Sequence, residues 1–137
     1  MADAKPPLVV ELVWSGGLHF QATSGTTVAI VDGDGKAGPS PMQFAAMGLA
    51  GCMAADVADI IRKGRHELIA LRTTLTGTRA ETPPRRFVKI SLHFDVEGPV
   101  SQDAVERAIV LSREKFCSVW HSFRHDIELT TTYTVRR

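Results

Sequence analysis

Positive charge is not in surplus: 16 Lys and Arg against 15 Asp and Glu leave a formal charge of +1. Without a cationic excess the chain has little means of holding a phosphate backbone or an anionic bilayer surface, so neither nucleic acid nor membrane is expected as a partner. Long hydrophobic runs are missing too. The longest uncharged apolar stretch, Phe44 to Ala55, is 12 residues and stops at Asp56, whereas a bilayer span needs about 20. That length suits a buried core helix. The start Met1-Ala2-Asp3-Ala4-Lys5-Pro6-Pro7 shows no apolar signal-peptide region, and a cytoplasmic, thiol-reducing setting is the expectation. Cysteine is scarce, with only Cys52 and Cys117. In a reducing compartment a permanent staple between them is not expected, which leaves reactive thiols or small buried hydrophobes.

Repeats, low-complexity tracts and long linkers are also lacking, so residues 1–137 read as a single domain, and 44% hydrophobic residues suffice for its core. Clustered metal ligands do not occur: His19, His66, His93, His121 and His125 are dispersed, and the i, i+4 pair His121 and His125 lacks the Glu of a metalloprotease helix. No metal site is expected, and no cofactor, because a nucleophile elbow, a phosphate-cradling glycine loop and a dinucleotide fingerprint are missing. Asp32-Gly33-Asp34-Gly35 is reminiscent of a calcium loop but lacks the further acidic ligands and closing Glu, and reads as a turn.

What is present alternates between strand and helix signals. Leu8 to Asp32 mixes β-branched and aromatic residues with turns at Ser15-Gly16-Gly17 and Ser24-Gly25, predicting an antiparallel meander. Ser40-Pro41-Met42-Gln43 is a helix start, with Ser at the cap, Pro at the first helical position and Gln completing a capping box. The helix should run to Lys63 and end at Gly64. Small residues from Ala45 to Ala55 crowd its middle and admit a close neighbour, so it reads as buried on most sides. Extended segments are predicted at 68–77 and 87–97. In the second, Val88, Ile90, Leu92, Phe94 and Val96 alternate with Lys89, Ser91, His93 and Asp95. Ser101 caps a second helix in which Val105, Ala108, Ile109, Ser112 and Phe116 share a face, ending near Cys117. Ile127, Leu129, Thr131, Tyr133 and Val135 then give a last strand. The fold class is α+β.

Cys52 lies about three turns into the first helix, too deep for the helix dipole to activate it, so activation must come from tertiary neighbours. Cys117 closes the second helix beside Arg113 and Lys115.

Two separated motifs, Ser40-Pro41-Met42-Gln43-Phe44-Ala45-Ala46-Met47-Gly48-Leu49-Ala50-Gly51-Cys52 with Asp56-Val57, and Val105-Glu106-Arg107-Ala108 with Leu111-Ser112-Arg113-Glu114-Lys115-Phe116-Cys117-Ser118-Val119, resemble the paired cysteine motifs of the OsmC/Ohr family. Gly77-Thr78-Arg79-Ala80-Glu81 and Leu92-His93-Phe94 resemble its OsmC-like branch of redox proteins. The resemblance implies an intertwined homodimer, with central buried helices packed between antiparallel β-sheets and the active sites at the subunit interface. It also implies a chemistry. The cysteine matching Cys52 attacks an organic hydroperoxide and becomes a sulfenic acid, the one matching Cys117 resolves it to a disulfide, and a dithiol reduces that disulfide.

The chain departs from the peroxidase members at two points. Where they carry an Arg after the Gly-Gly of the first hairpin, this chain has Leu18-His19; where they carry a Glu after the Pro of the central helix, it has Met42 and Gln43. His19, Met42, Gln43, Arg113 and Glu114 are the candidates to support the thiols instead. Two alternatives follow: a redox-responsive protein without fast turnover, or a binder of a small hydrophobic ligand around Met42, Phe44, Met47 and Phe116.

Overall fold

The computed structural model describes residues 4–137, so the Met1-Ala2-Asp3 start lies outside the described residues. The chain divides into two compact units, Met1–Ala45 and Ala46–Arg137.

In the first unit, β1 (Glu11–Gly16), β2 (His19–Ser24) and β3 (Thr27–Asp32) form an antiparallel meander in that order. The turns fall where Gly-containing dipeptides announce them, and Gly17 takes φ +53, a conformation that side-chain-bearing residues rarely adopt. The Asp32-Gly33-Asp34-Gly35 segment is a turn organised by its first carboxylate. Asp32, fully buried, accepts the backbone N–H groups of Asp34, Lys36 and Ala37 at 2.9, 3.0 and 2.8 Å. The chain then enters α1 (Pro41–Lys63) through a reciprocal capping box. The Ser40 N–H donates to Gln43 Oε1 at 2.9 Å, and the Gln43 N–H donates to Ser40 Oγ at 3.2 Å.

The second unit holds the rest of α1 and a sheet of β4 (Ala70–Arg79), β5 (Phe87–Glu97) and β6 (Glu128–Arg136), with β5 in the middle. The alternation in β5 is realised as a buried face of Ile90, Leu92, Phe94 and Val96, each such side chain stabilising the fold by roughly 1.5–3 kcal/mol. On the other face His93 Nδ1 lies 2.6 Å from Thr132 Oγ1, and Thr134 Oγ1 donates to Asp95 Oδ1 at 2.5 Å, tying β5 to β6. Gly98 ends β5 at φ +150, where an added Cβ would strike the Glu67 carbonyl oxygen.

The sheets are not both antiparallel. β4 and β5 are, but β6 runs parallel to β5, because α2 (Gln102–Leu111) and the segment after it carry the chain back to the end from which β5 began. Ser101 caps α2, its side chain accepting the Ala104 N–H at 3.1 Å. Leu49, Met53, Val57 and Ile61 of α1, spaced four apart, join Val105, Ala108 and Ile109 of α2 and the buried face of β5 in one core.

Within the chain α1 buries only this stripe, not most of its sides. It is apolar and long enough, by length and composition alone, to cross a bilayer, as many core helices are, and 22% of its most apolar 18-residue window is buried. Added Cβ atoms at Gly48 and Gly51 would meet nothing within 4 Å.

The face expected on the second helix holds through Ser112 and then shifts. Ser112–Phe116 form a single π-helical turn in which the Cys117 N–H reaches back to the Ser112 carbonyl at 2.8 Å. The extra residue accommodated by that turn moves the buried position from Phe116, 50% exposed, to Cys117, fully buried.

Candidate thiol site

Cys52 and Cys117 are both free thiols, and the second unit brings them together. Cys52 comes from the middle of α1, and the π-helical turn swings Cys117 in from the end of α2. One ligand atom from each of Cys52, Cys117 and Asp56 lies within 4.8 Å of the other two. Cys52 and Asp56 are four residues apart on α1 and so share a face. Asp56 is fixed by the buried Ser112, whose Oγ donates to Asp56 Oδ2 at 2.8 Å.

The chain after Cys117 supplies the hydrogen-bond donors. The Trp120 N–H donates to Cys117 Sγ at 3.3 Å, and Ser118 Oγ lies 3.9 Å from Cys52 Sγ. This segment is itself braced: the His121 N–H donates to the Cys117 carbonyl at 3.1 Å, and Ser122 Oγ donates to the Ser118 carbonyl at 2.8 Å.

The two sulfurs differ in character. Burial opposes ionisation of Cys52, but the Val119 amide, the Cys117 thiol and the Ser118 hydroxyl outweigh burial and the nearby Asp56 charge, holding this thiol below its ordinary range. Burial pushes the Cys117 thiol up to about 11; the Trp120 amide works against that rise, while the neighbouring Cys52 sulfur and the Asp56 carboxylate add to it. Of the two sulfurs, the half-buried Cys52 is the one more disposed to ionise.

The other sequence candidates have separate placements. Glu114 is exposed and lies 4.0 Å from Arg113 Nε. In the first unit Gln43 is committed to the capping box, His19 Nε2 lies 3.3 Å from Asp32 Oδ2, and Met42 is half-buried on the first turn of α1. Phe44 lines an apolar groove of the first unit, of about 380 Å³, with Val10, Leu12, Val28 and Val31. Phe116 lines a cavity of about 340 Å³ in the second unit with Asp56, Asp59, Ile60 and Lys63. Sequence reasoning assigned no role to Asp56, Ser112, Ser118 or Trp120. Asp56 left a signal in its spacing of four from Cys52, and Ser112 and Ser118 in lying inside the second cysteine motif, whereas Trp120 left none.

A profile of the OsmC family, described as OsmC-like protein, matches residues 33–132. Protein YhfA of Escherichia coli K12 is 39% identical over 125 residues, which cover 89% of this chain and 93% of YhfA. A hypothetical protein from Aquifex aeolicus VF5 superposes with a TM-score of 0.89 at 26% identity, over 96% of this chain and 98% of that one. An organic hydroperoxide resistance protein OsmC from Legionella pneumophila superposes with a TM-score of 0.72 at 18% identity, over 97% and 100% of the two chains, a likeness of fold alone. With the family profile spanning both cysteine motifs, and a relative this similar along most of its length, the chain belongs to the OsmC family.

Proposed function

We propose that this protein is a thiol-dependent reductase of organic hydroperoxides in which Cys52 is the nucleophile and Cys117 the resolving thiol, serving oxidative stress defence in the cytoplasm. The observation that carries the reading is the juxtaposition of two free sulfurs of opposite character, one half-exposed and favoured toward ionisation, the other buried and disfavoured from it. The Cys52 thiolate attacks the terminal peroxide oxygen, the O–O bond breaks, and the alkoxide leaves and takes up a proton. Cys52 is then a sulfenic acid. The Cys117 sulfur displaces its oxygen as water, forming a disulfide, and a small dithiol returns both sulfurs to thiols.

The same reading makes the working unit an intertwined homodimer in which both units of the chain form one domain completed by a second copy. Supporting this, in the second unit Met47 is 54% exposed and the Gly48 and Gly51 positions of α1 are open, and in the first unit Trp14 is 65% exposed, apolar groups that a lone chain presents to water.

The test is intact-mass analysis before and after one equivalent of an organic hydroperoxide, with peptide mapping. Rapid loss of two hydrogens with Cys52 linked to Cys117 is the expected result, followed by turnover with a dithiol. Thiols that stay unchanged over many minutes overturn it. One observation favours a second reading, a redox-responsive protein without fast turnover. The peroxidase Glu and Arg have no residue-by-residue counterpart in this chain, and Gln43 and His19, the side chains nearest those places in the sequence, are already engaged by Ser40 and Asp32. Slow disulfide formation with a change in dimer shape would distinguish it.

A further inference from the structure

Peroxide reduction by Cys52 and Cys117 gives Asp56 no task, although a carboxylate oxygen of Asp56 lies within 4.8 Å of both sulfurs. Yet it is held in place, by the buried Ser112 hydroxyl at 2.8 Å. Three groups that repel one another as anions, gathered within 4.8 Å, are an arrangement that a cation relieves.

The donor set also identifies the kind of cation. Two thiolates and one carboxylate suit zinc, which takes sulfur, nitrogen and oxygen ligands at four-coordinate sites, whereas calcium and magnesium take oxygen alone. We propose that Cys52, Cys117 and Asp56 form a binding site for a zinc-like divalent ion, with a fourth position open to water. Further contacts fit this. The Trp120 N–H points at Cys117 Sγ from 3.3 Å, and Ser118 Oγ stands 3.9 Å from Cys52 Sγ, while Ser112 orients the carboxylate. These are the outer-shell hydrogen bonds that fix and tune metal ligands.

Binding exchanges protons for metal: one divalent ion enters, two thiol protons leave, and the carboxylate contributes its existing charge, giving an overall anionic site. The ion and the Cys52–Cys117 disulfide compete for the same sulfurs. The inference uses the same two cysteines as the reductase reading but does not depend on their turnover.

The test uses the full chain, reduced and without peroxide. Zn²⁺ is titrated in competition with a chromogenic chelator, and Co²⁺ is titrated while thiolate charge-transfer and tetrahedral d–d absorption are followed. One ion per chain is expected, with sulfur charge transfer lost stepwise in Cys52→Ser and Cys117→Ser. Asp56→Asn should weaken binding by about tenfold or more, and Ser112→Ala by a smaller factor. If Asp56→Asn does not fold, Asp56→Glu and Ser112→Ala carry the test, because both leave the sulfurs in place. Binding that ignores every one of these substitutions, or no competition with the chelator, overturns the site. A protein inert to hydroperoxide that still binds one Zn²⁺ through these residues loses the reductase reading and keeps this one; rapid peroxide consumption without zinc binding does the reverse.

Discussion

Ser112 Oγ donates to Asp56 Oδ2 at 2.8 Å, joining the π-helical turn to the face of α1 that carries Cys52. The donor is fully buried and its acceptor is a carboxylate. Ser112→Ala should therefore destabilise the folded chain by about 1–2 kcal/mol, read from urea unfolding midpoints at constant slope. An unchanged midpoint would show that the bond contributes nothing net.

The two cysteines should fail differently. Cys117→Ser is expected to accumulate a sulfenic acid on Cys52 after one equivalent of hydroperoxide, captured by a dione reagent and located by peptide mapping. Cys52→Ser should consume no peroxide, although Cys117 remains. Equal rates in both variants and the parent would remove the assigned roles.

Open glycines on α1 make the proposed pairing of chains testable. Nothing lies within 4 Å of a Cβ added at Gly48 or Gly51, so larger residues fit the isolated chain. In an exposed helix, replacing Gly by Leu even adds stability, on the order of 0.5–1 kcal/mol per site. If a second copy packs there, Gly48→Leu with Gly51→Leu should shift the parent's dimer peak in size-exclusion chromatography to the monomer position with helical content retained. A dimer peak unmoved by both substitutions would place the interface elsewhere.

Asp32 predicts an acid limit for the first unit. Hydrogen bonds from the Ala37, Asp34 and Lys36 amides, together with His19, hold its carboxyl below the usual range even though burial opposes this. A depressed folded-state pKa contributes stability that is complete above the unfolded carboxylate value of about 3.9 and is lost as pH falls through the folded value. Thermal unfolding between neutral pH and pH 3 should show a steeper loss in the parent than in Asp32→Asn, and the variant should melt lower at neutral pH. Parallel curves would contradict the assignment.

Legibility followed locality. The capping box at Ser40 and Gln43, the alternation from Val88 to Val96 and the cap at Ser101 involve residues within a few positions of each other, and each is formed as the sequence indicates. The parallel pairing of β6 with β5 was hidden because alternation fixes which face of a strand is buried, not the direction in which it runs. The π-helical turn was hidden for a related reason. Helical periodicity assumes a constant repeat, and the one residue gained at Ser112–Phe116 put Cys117, not Phe116, into the core. Family motifs named the two cysteines, but Ser118, Trp120 and Ser112 act on the sulfurs and on Asp56 through contacts made only after the chain turns back on itself.

The parallel return of β6 also sets an order of events for a chain emerging from a ribosome. Cys52 is made first, with its helix, long before any sulfur can stand beside it. Cys117 follows inside the crossover, and the strand that locks that crossover onto β5 is made only afterwards. Until residues 117–119 are made, Cys52 lacks the Val119 amide, the Cys117 thiol and the Ser118 hydroxyl that favour its ionisation. A chain that ends before β6 carries both cysteines but lacks the strand that pairs with β5 and closes the crossover bearing Cys117.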